Sequence, residues 1–155
     1  MKSNILTNMS DIFLYNHWAN ERLIHNVNQV RPEDYIKTFS IPFKNLHGLL
    51  HHLYYYEAKY YSELTGDTIQ LVKKSDELSK EQLFENILAY SQSWNRWLHD
   101  ATVLENIEIY FQTIFDLSVH NNYHRGQINT LISILGYKPQ SLDIFLYRTS
   151  LTTLS

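Results

Sequence analysis

The 155-residue chain predicts an all-α protein, and three observations predict it. Glycine and proline are scarce, at 4 and 3, so the chain has few joints. Between the joints, apolar residues recur at three- and four-residue steps, the signature of helices with one buried stripe. Four such stretches are long, and four long amphipathic helices bury their stripes together as a four-helix bundle. Hydrophobic residues make up 44% and charged residues 19%, a globular balance, so residues 1–155 are expected to form one domain with its own core.

The first helix is expected over about Asn4 to Asn28, with Ile5, Met9, Ile12, Ala19, Leu23 and Val27 on one stripe. Joints follow at Arg31-Pro32-Glu33 and Ser40-Ile41-Pro42. The second helix is expected from about Phe43 to Leu64, with Leu46, Leu49, Leu50, Leu53, Tyr60 and Leu64 inward. A longer joint runs from Thr65-Gly66-Asp67 to Ser79. Ser79 and Gln82 have the spacing of a capping box. They start a third helix whose stripe, Leu83, Ile87, Tyr90, Trp94 and Trp97, reaches about His99. Ile107 to Phe111 reads as a short extended piece. The fourth helix is expected over Gln112 to Leu135 and ends at Gly136-Tyr137-Lys138-Pro139. Ser141 is placed as the cap of a last short helix through Leu142, Ile144, Phe145 and Leu146.

Composition removes several classes of function. Thirteen Lys+Arg against 16 Asp+Glu give a formal charge of -3, which argues against a nucleic-acid partner. Cysteine is absent, which excludes disulfides, cysteine-bearing zinc sites and a cysteine nucleophile. No stretch approaches the roughly 18 apolar residues of a membrane span. The N-terminal residues lack the apolar core of a signal peptide, so a cytoplasmic location and no membrane partner are expected. A metal ion, if held, takes histidine, carboxylate or backbone oxygen. There are 8 histidines.

Polar residues interrupt the stripes at particular places. On the fourth helix Leu117, Ile128, Leu131 and Leu135 fall within roughly 60° of one another, and His120 and His124 fall in or beside that arc. Gln127 follows on the same side. Two inward imidazoles one turn apart are either core histidines hydrogen-bonded to neighbouring helices or a pair able to reach one metal ion. The metal reading is preferred. The glutamate of a zinc-protease motif is missing, because Asn121 follows His120.

A third ligand belongs on a facing helix. Of His47, His51 and His52, the last lies least far from the second helix's stripe, about 100° off, and His51 lies nearly opposite it. His52 is therefore chosen, with Tyr56 beside it a turn later. His47 and His51 are read as a solvated pair on the outer face. Asn16, Asn20 and Glu57 lie on their helices' apolar stripes. A buried Glu57 has to be paired or protonated, and Arg125, Asn16 and Asn20 are its candidate partners in a structural network. Glu57 points roughly 140° away from His52, which suits an outer role. The run Tyr54-Tyr55-Tyr56 with Tyr60-Tyr61, and Trp18 on the outer side of the first helix, mean either several buried faces or a subunit contact. A homodimer is one of the two expectations.

Several segments together resemble a known family. His120-Asn121-Asn122-Tyr123-His124-Arg125-Gly126-Gln127 resembles the HxxxHRGQ signature of the DinB-like, or DinB/YfiT-like, metalloenzymes. Tyr15-Asn16-His17-Trp18-Ala19-Asn20 resembles their first-helix NxWAN segment. His52 with Glu57 resembles their second-helix histidine and following acid. Leu135-Gly136-Tyr137-Lys138-Pro139 with Asp143 resembles their C-terminal pattern. The family often has His where this chain has Tyr123, a departure that alters the pocket and not the ligands.

The resemblance implies an up-down-down-up four-helix bundle whose metal is held by His52, His120 and His124. Three neutral histidines leave positions open for water or substrate, as catalytic sites do. Zinc and nickel suit such a site, with iron and manganese as alternatives. By resemblance the expected activity is a metal-dependent thiol S-transferase acting on a small electrophile, with a low-molecular-weight thiol as cosubstrate. Tyr56, Gln127 and Glu57 are candidates for orienting groups. The competing reading is a non-catalytic metal-binding protein of the stress or damage response.

Overall fold

The computed structural model describes residues 2–68, 71–100, 103 and 106–152. All of its regular structure among these residues is helical: α1 (Lys2–Asn28), α2 (Pro32–Tyr35), α3 (Leu46–Thr65), a 3-10 turn (Ser75–Glu77), α4 (Lys80–Leu98), α5 (Ile107–Ile134) and α6 (Ile144–Thr152). The fold is all-α. Among the described residues no helix is long and apolar enough to cross a membrane.

The helix ends follow from local chemistry. Pro32 opens α2, where its missing N–H is not needed. Asn45 caps α3 by accepting from the Gly48 amide at 2.9 Å, so this helix starts after Phe43 and not at it. The capping box at α4 is present in both directions: Ser79 Oγ accepts from the Gln82 amide at 3.2 Å, and Gln82 Oε1 accepts from the Ser79 amide at 2.8 Å. The piece expected to be extended, Ile107 to Phe111, is the first turn and more of α5. Ser141 does not cap α6. Asp143 does, its Oδ1 accepting from the Phe145 amide at 2.7 Å, while Ser141 Oγ takes the amide of Asp143.

The four long helices surround a shared interior. α1 packs against α4 and α5, and α3 packs against the same two. One apolar cluster joins Leu23 and Val27 of α1, Leu49 and Leu53 of α3, Leu83 and Ile87 of α4, and Ile128 and Ile132 of α5. A second joins Met9 and Phe13 of α1, Trp94 and Leu98 of α4, and Ile114 and Leu117 of α5, with Tyr60 and Leu64 of α3 against it. Met9, Ala19, Leu23 and Val27 are buried as their spacing requires, and the Ile5 side chain lies outside the described residues.

Two of the aromatic groups pack against covering segments. Trp18 packs with Tyr15 and with Tyr147 of α6. The tyrosine-rich α3 buries several faces: Tyr54 and Tyr61 meet Tyr90 of α4, and Leu71, Val72 and Leu78 close over its outer side. The segment after α5 is tied back to α1. Gly136 adopts φ +91° to end α5, a conformation that an L side chain rarely takes. Asn26 then bonds the backbone of Gln140 in both directions, at 2.9 and 2.8 Å, and Arg22 Nε donates to the Ser141 carbonyl at 3.0 Å.

Candidate metal centre

His52 comes from the second turn of α3, and His120 and His124 from adjacent turns of α5, so two helices deliver three rings to one place. The three offer nitrogens that all lie within 4.8 Å of one another. His52 Nε2 and His120 Nε2 are 3.1 Å apart. Two nitrogens each 2.0–2.1 Å from a tetrahedral ion stand roughly 3.3–3.4 Å apart, so the spacing already suits a shared cation. His124 Nδ1–H donates to Gln127 Oε1 at 2.8 Å, which fixes its tautomer and leaves Nε2 as the lone-pair nitrogen. Among the described residues this is the group of three that could hold an ion.

All three rings favour the neutral form. Burial lowers His52 to about 4, with the neighbouring His124 and His120 adding to the effect. Burial also lowers His120, with His124 adding to the effect, and lowers His124 against its hydrogen bond to Gln127. Neutral imidazole is the state that ligates a metal, so the surroundings and the donor set agree.

Phe43 roofs the triad. Its ring centroid lies 4.2 Å from that of His52 and meets His124 edge-on at 5.5 Å. Tyr56 closes the other flank, 4.7 Å from His52 and 4.6 Å from His120. Phe43 was read from its sequence as the start of a helix, so its role was missed. The available signal was Gly48, an isolated glycine in a helical pattern. A Cβ there would lie 2.1 Å from the Phe43 carbonyl oxygen, so only glycine lets the roof sit this close to α3.

His47 and His51 are not a solvated pair. His51 is buried, and its Nε2–H donates to the Val72 carbonyl at 2.9 Å. His47 Nε2–H donates to the Ser75 carbonyl at 2.8 Å, and its Nδ1 accepts from the Tyr35 hydroxyl at 2.7 Å. Both rings therefore hold the 72–75 segment against α3 instead of joining the triad.

The polar residues on the other stripes meet in a separate cluster. Glu57 Oε1 accepts from Asn16 and Asn20 at 3.1 Å each and from Asn121 at 3.0 Å. Arg125 Nη1 donates to the oxygens of Asn16 and Asn20, the latter at 2.9 Å, and Nη2 donates to Asn122 at 2.9 Å. The two α1 amides thus bridge carboxylate and guanidinium, so Glu57 and Arg125 are linked through Asn16 and Asn20. Burial pushes the Glu57 carboxyl above its usual range, against the pull of those amides and of Arg125. Asn121 is a member that the sequence reading passed over as the neighbour of a histidine.

Comparison with known proteins places the chain. The profile of the DinB family matches residues 1–108, which include Asn16, Asn20, His52 and Glu57. Protein DinB of Bacillus subtilis (strain 168) is 22% identical over 156 residues, spanning 88% of this chain and 91% of that protein. No solved structure matches. His120 and His124 lie beyond the family match and stand on their geometry. With 108 of 155 residues matched, the chain belongs to the DinB family.

Proposed function

We propose that this protein binds one divalent metal ion through His52, His120 and His124 and acts as a metal-dependent thiol S-transferase on a small electrophile. The observation that carries the reading is the convergence of nitrogens from three histidine rings, all within 4.8 Å of one another, beside Phe43. The long helices are proposed to form a four-helix bundle in up-down-down-up order. Support comes from the two apolar clusters, in which the early part of α1 meets late α3, late α4 and early α5, while late α1 meets the opposite ends.

When bound, such an ion lowers the pKa of a thiol or water on it enough to supply the anion at neutral pH. Gln127 holds the His124 ring in its ligating tautomer. Phe43 and Tyr56 press on the His52 ring from two sides and limit water around it. In the transfer itself the thiol sulfur bonds to the electrophilic carbon as the bond to the leaving group breaks. The leaving group departs with the electron pair and the thiol proton passes to water. Zinc and nickel are the favoured ions for three histidines, and iron or manganese accept the same donors. The thiol is a low-molecular-weight cosubstrate, since the chain has no cysteine. We place the protein in the cytoplasm.

The test is metal quantification on the purified protein beside a panel of thiols and a thiol-reactive electrophile. Stoichiometric metal, with turnover that needs both metal and added thiol, is the expected result. Stoichiometric metal without turnover for any thiol would leave a non-catalytic metal-binding protein. Absence of metal uptake would remove the whole reading.

A further inference from the structure

Phe43 lines two clefts of similar size and opposite character. On one side lies a cavity of about 510 Å³, with His52 and Tyr56 in its wall and Lys44, Lys73, Ser75 and Tyr55 around it. No carboxylate lines it. On the other side lies a cavity of about 500 Å³ walled by Ile41, Leu49, Tyr123, Gln127, Leu131 and Ile134, with no charged side chain among the described residues that line it. Both volumes are in the range of small-molecule sites.

The two lysines sit on backbone that is held in place. Lys73 lies between Val72 and Ser75, whose carbonyls accept from His51 and His47 of α3. Lys44 occupies a left-handed turn, φ 65°, closed by its amide to the Ile41 carbonyl at 3.0 Å and by the Phe39 amide to its own carbonyl at 2.6 Å. Neither ammonium is in an ion pair among the described residues, whose ion pairs lie on α1, α2 and α3. Asp76 and Glu77 follow on the Lys73 segment but are exposed and do not line the cleft. In a chain of net charge -3, two unpaired cations facing one cavity are a local reversal of sign.

We propose that the cleft between Lys44 and Lys73 is an anion subsite, taking the carboxylate or phosphate end of a small molecule whose other end reaches His52. It deepens the reading of the triad and rests on that reading for the chemistry done there.

Isothermal titration with succinate, inorganic phosphate and uncharged succinamide tests this, on the protein as purified and after chelation, with metal content measured in each sample. Succinate and phosphate are expected to bind and succinamide not to. Lys44→Gln and Lys73→Gln should each weaken binding about fivefold, and the double variant about twentyfold or more. Raising the salt should weaken it further, and Lys138→Gln, on the exposed joint after α5, should change nothing. Equal binding of succinate and succinamide, unchanged affinity in the double variant, or no binding of either anion at millimolar concentration would overturn the subsite. Anion binding that vanishes on chelation and ignores both lysines would also overturn it, while leaving the metal reading standing. Lysine-dependent binding to a protein that takes up no metal would keep the subsite and remove the triad's proposed role.

Discussion

His52 and Glu57 lie five residues apart on α3, and their surroundings are opposite. Glu57 is wholly buried in a network of amides: three asparagines donate to its Oε1 and two of them accept from Arg125, while Oε2 has no partner among the described residues. His52 is half-buried, and its Nε2 lies 3.1 Å from another ring nitrogen of the same kind, His120 Nε2. Both residues interrupt an apolar face, yet one sits among amide donors and the other among rings of its own kind. A polar side chain near a helix's inner face is thus no evidence of a site by itself. What separates the two is the company each keeps, amides that donate to Glu57 and like ring nitrogens that converge with His52.

Changes to the amide network around Glu57 should fall on stability, and changes to the triad on ligand binding. The largest effect is expected from Arg125→Ala. It strips a buried group of its counter-charge and leaves the asparagine oxygens bare, at a cost of about 3–5 kcal/mol in urea unfolding. A loss below about 1 kcal/mol would mean that the amides alone satisfy Glu57. Next comes His120→Ala, which should weaken metal binding about a hundredfold or more, because two ligands do not close the site. Its metal-free stability should change by only about 1 kcal/mol. Full metal content in that variant would take His120 out of the site.

Gly48→Ala separates roof from floor. The added methyl meets the Phe43 carbonyl, so the 42–45 turn has to move, with a loss of about 1–3 kcal/mol. Near-UV spectra or crystallography should show Phe43 displaced from His52 while the three histidines keep their places. A smaller change is expected for His51→Ala, about 1 kcal/mol, from the lost bond to the Val72 carbonyl. Metal binding should stay normal. If His51→Ala removes the metal and His52→Ala does not, the two residues exchange roles.

The mildest probe is pH on the metal-free protein. The three triad histidines are held below their ordinary pKa, so between about 4 and 6.5 the unfolded chain takes up more protons than the folded one. Stability should therefore decline as pH falls from about 6.5 toward 4 and level off above 6.5. Metal affinity should fall over the same range, since protons and metal compete for the same lone pairs. The raised carboxyl of Glu57 acts in the opposite sense, so the comparison is made in Glu57→Gln; a flat profile there, or stability that rises on acidification, would mean that these rings are not held neutral by their surroundings.

Much of this contrast was legible in the sequence, because helical period alone places His120 and His124 beside Leu117 and Ile128. The same arithmetic brought Asn16, Asn20 and Glu57 to inner faces and named Arg125 as a partner. What periodicity could not supply was the covering by segments distant in sequence. His47 and His51 are outward on the α3 wheel, and a wheel has no means of showing that the 72–75 backbone lies over them. Trp18 looked free for the same reason until Tyr147 was seen against it. Phe43 and the start of α5 were misplaced because cap and turn chemistry, and not apolar spacing, decides where a helix begins.

The tie between α1 and the segment after α5 has a consequence for how the chain is made. Tyr15, Arg22 and Asn26 meet partners 127, 119 and 114 residues later. Those partners leave the ribosome long after α1 has emerged, so the outer aromatic face around Trp18 stays uncovered until the segment after α5 has been made. Attachment of this late segment is then a closing event of folding, and a nascent chain halted before Leu142 should present that tryptophan face to any chaperone that reads exposed aromatics.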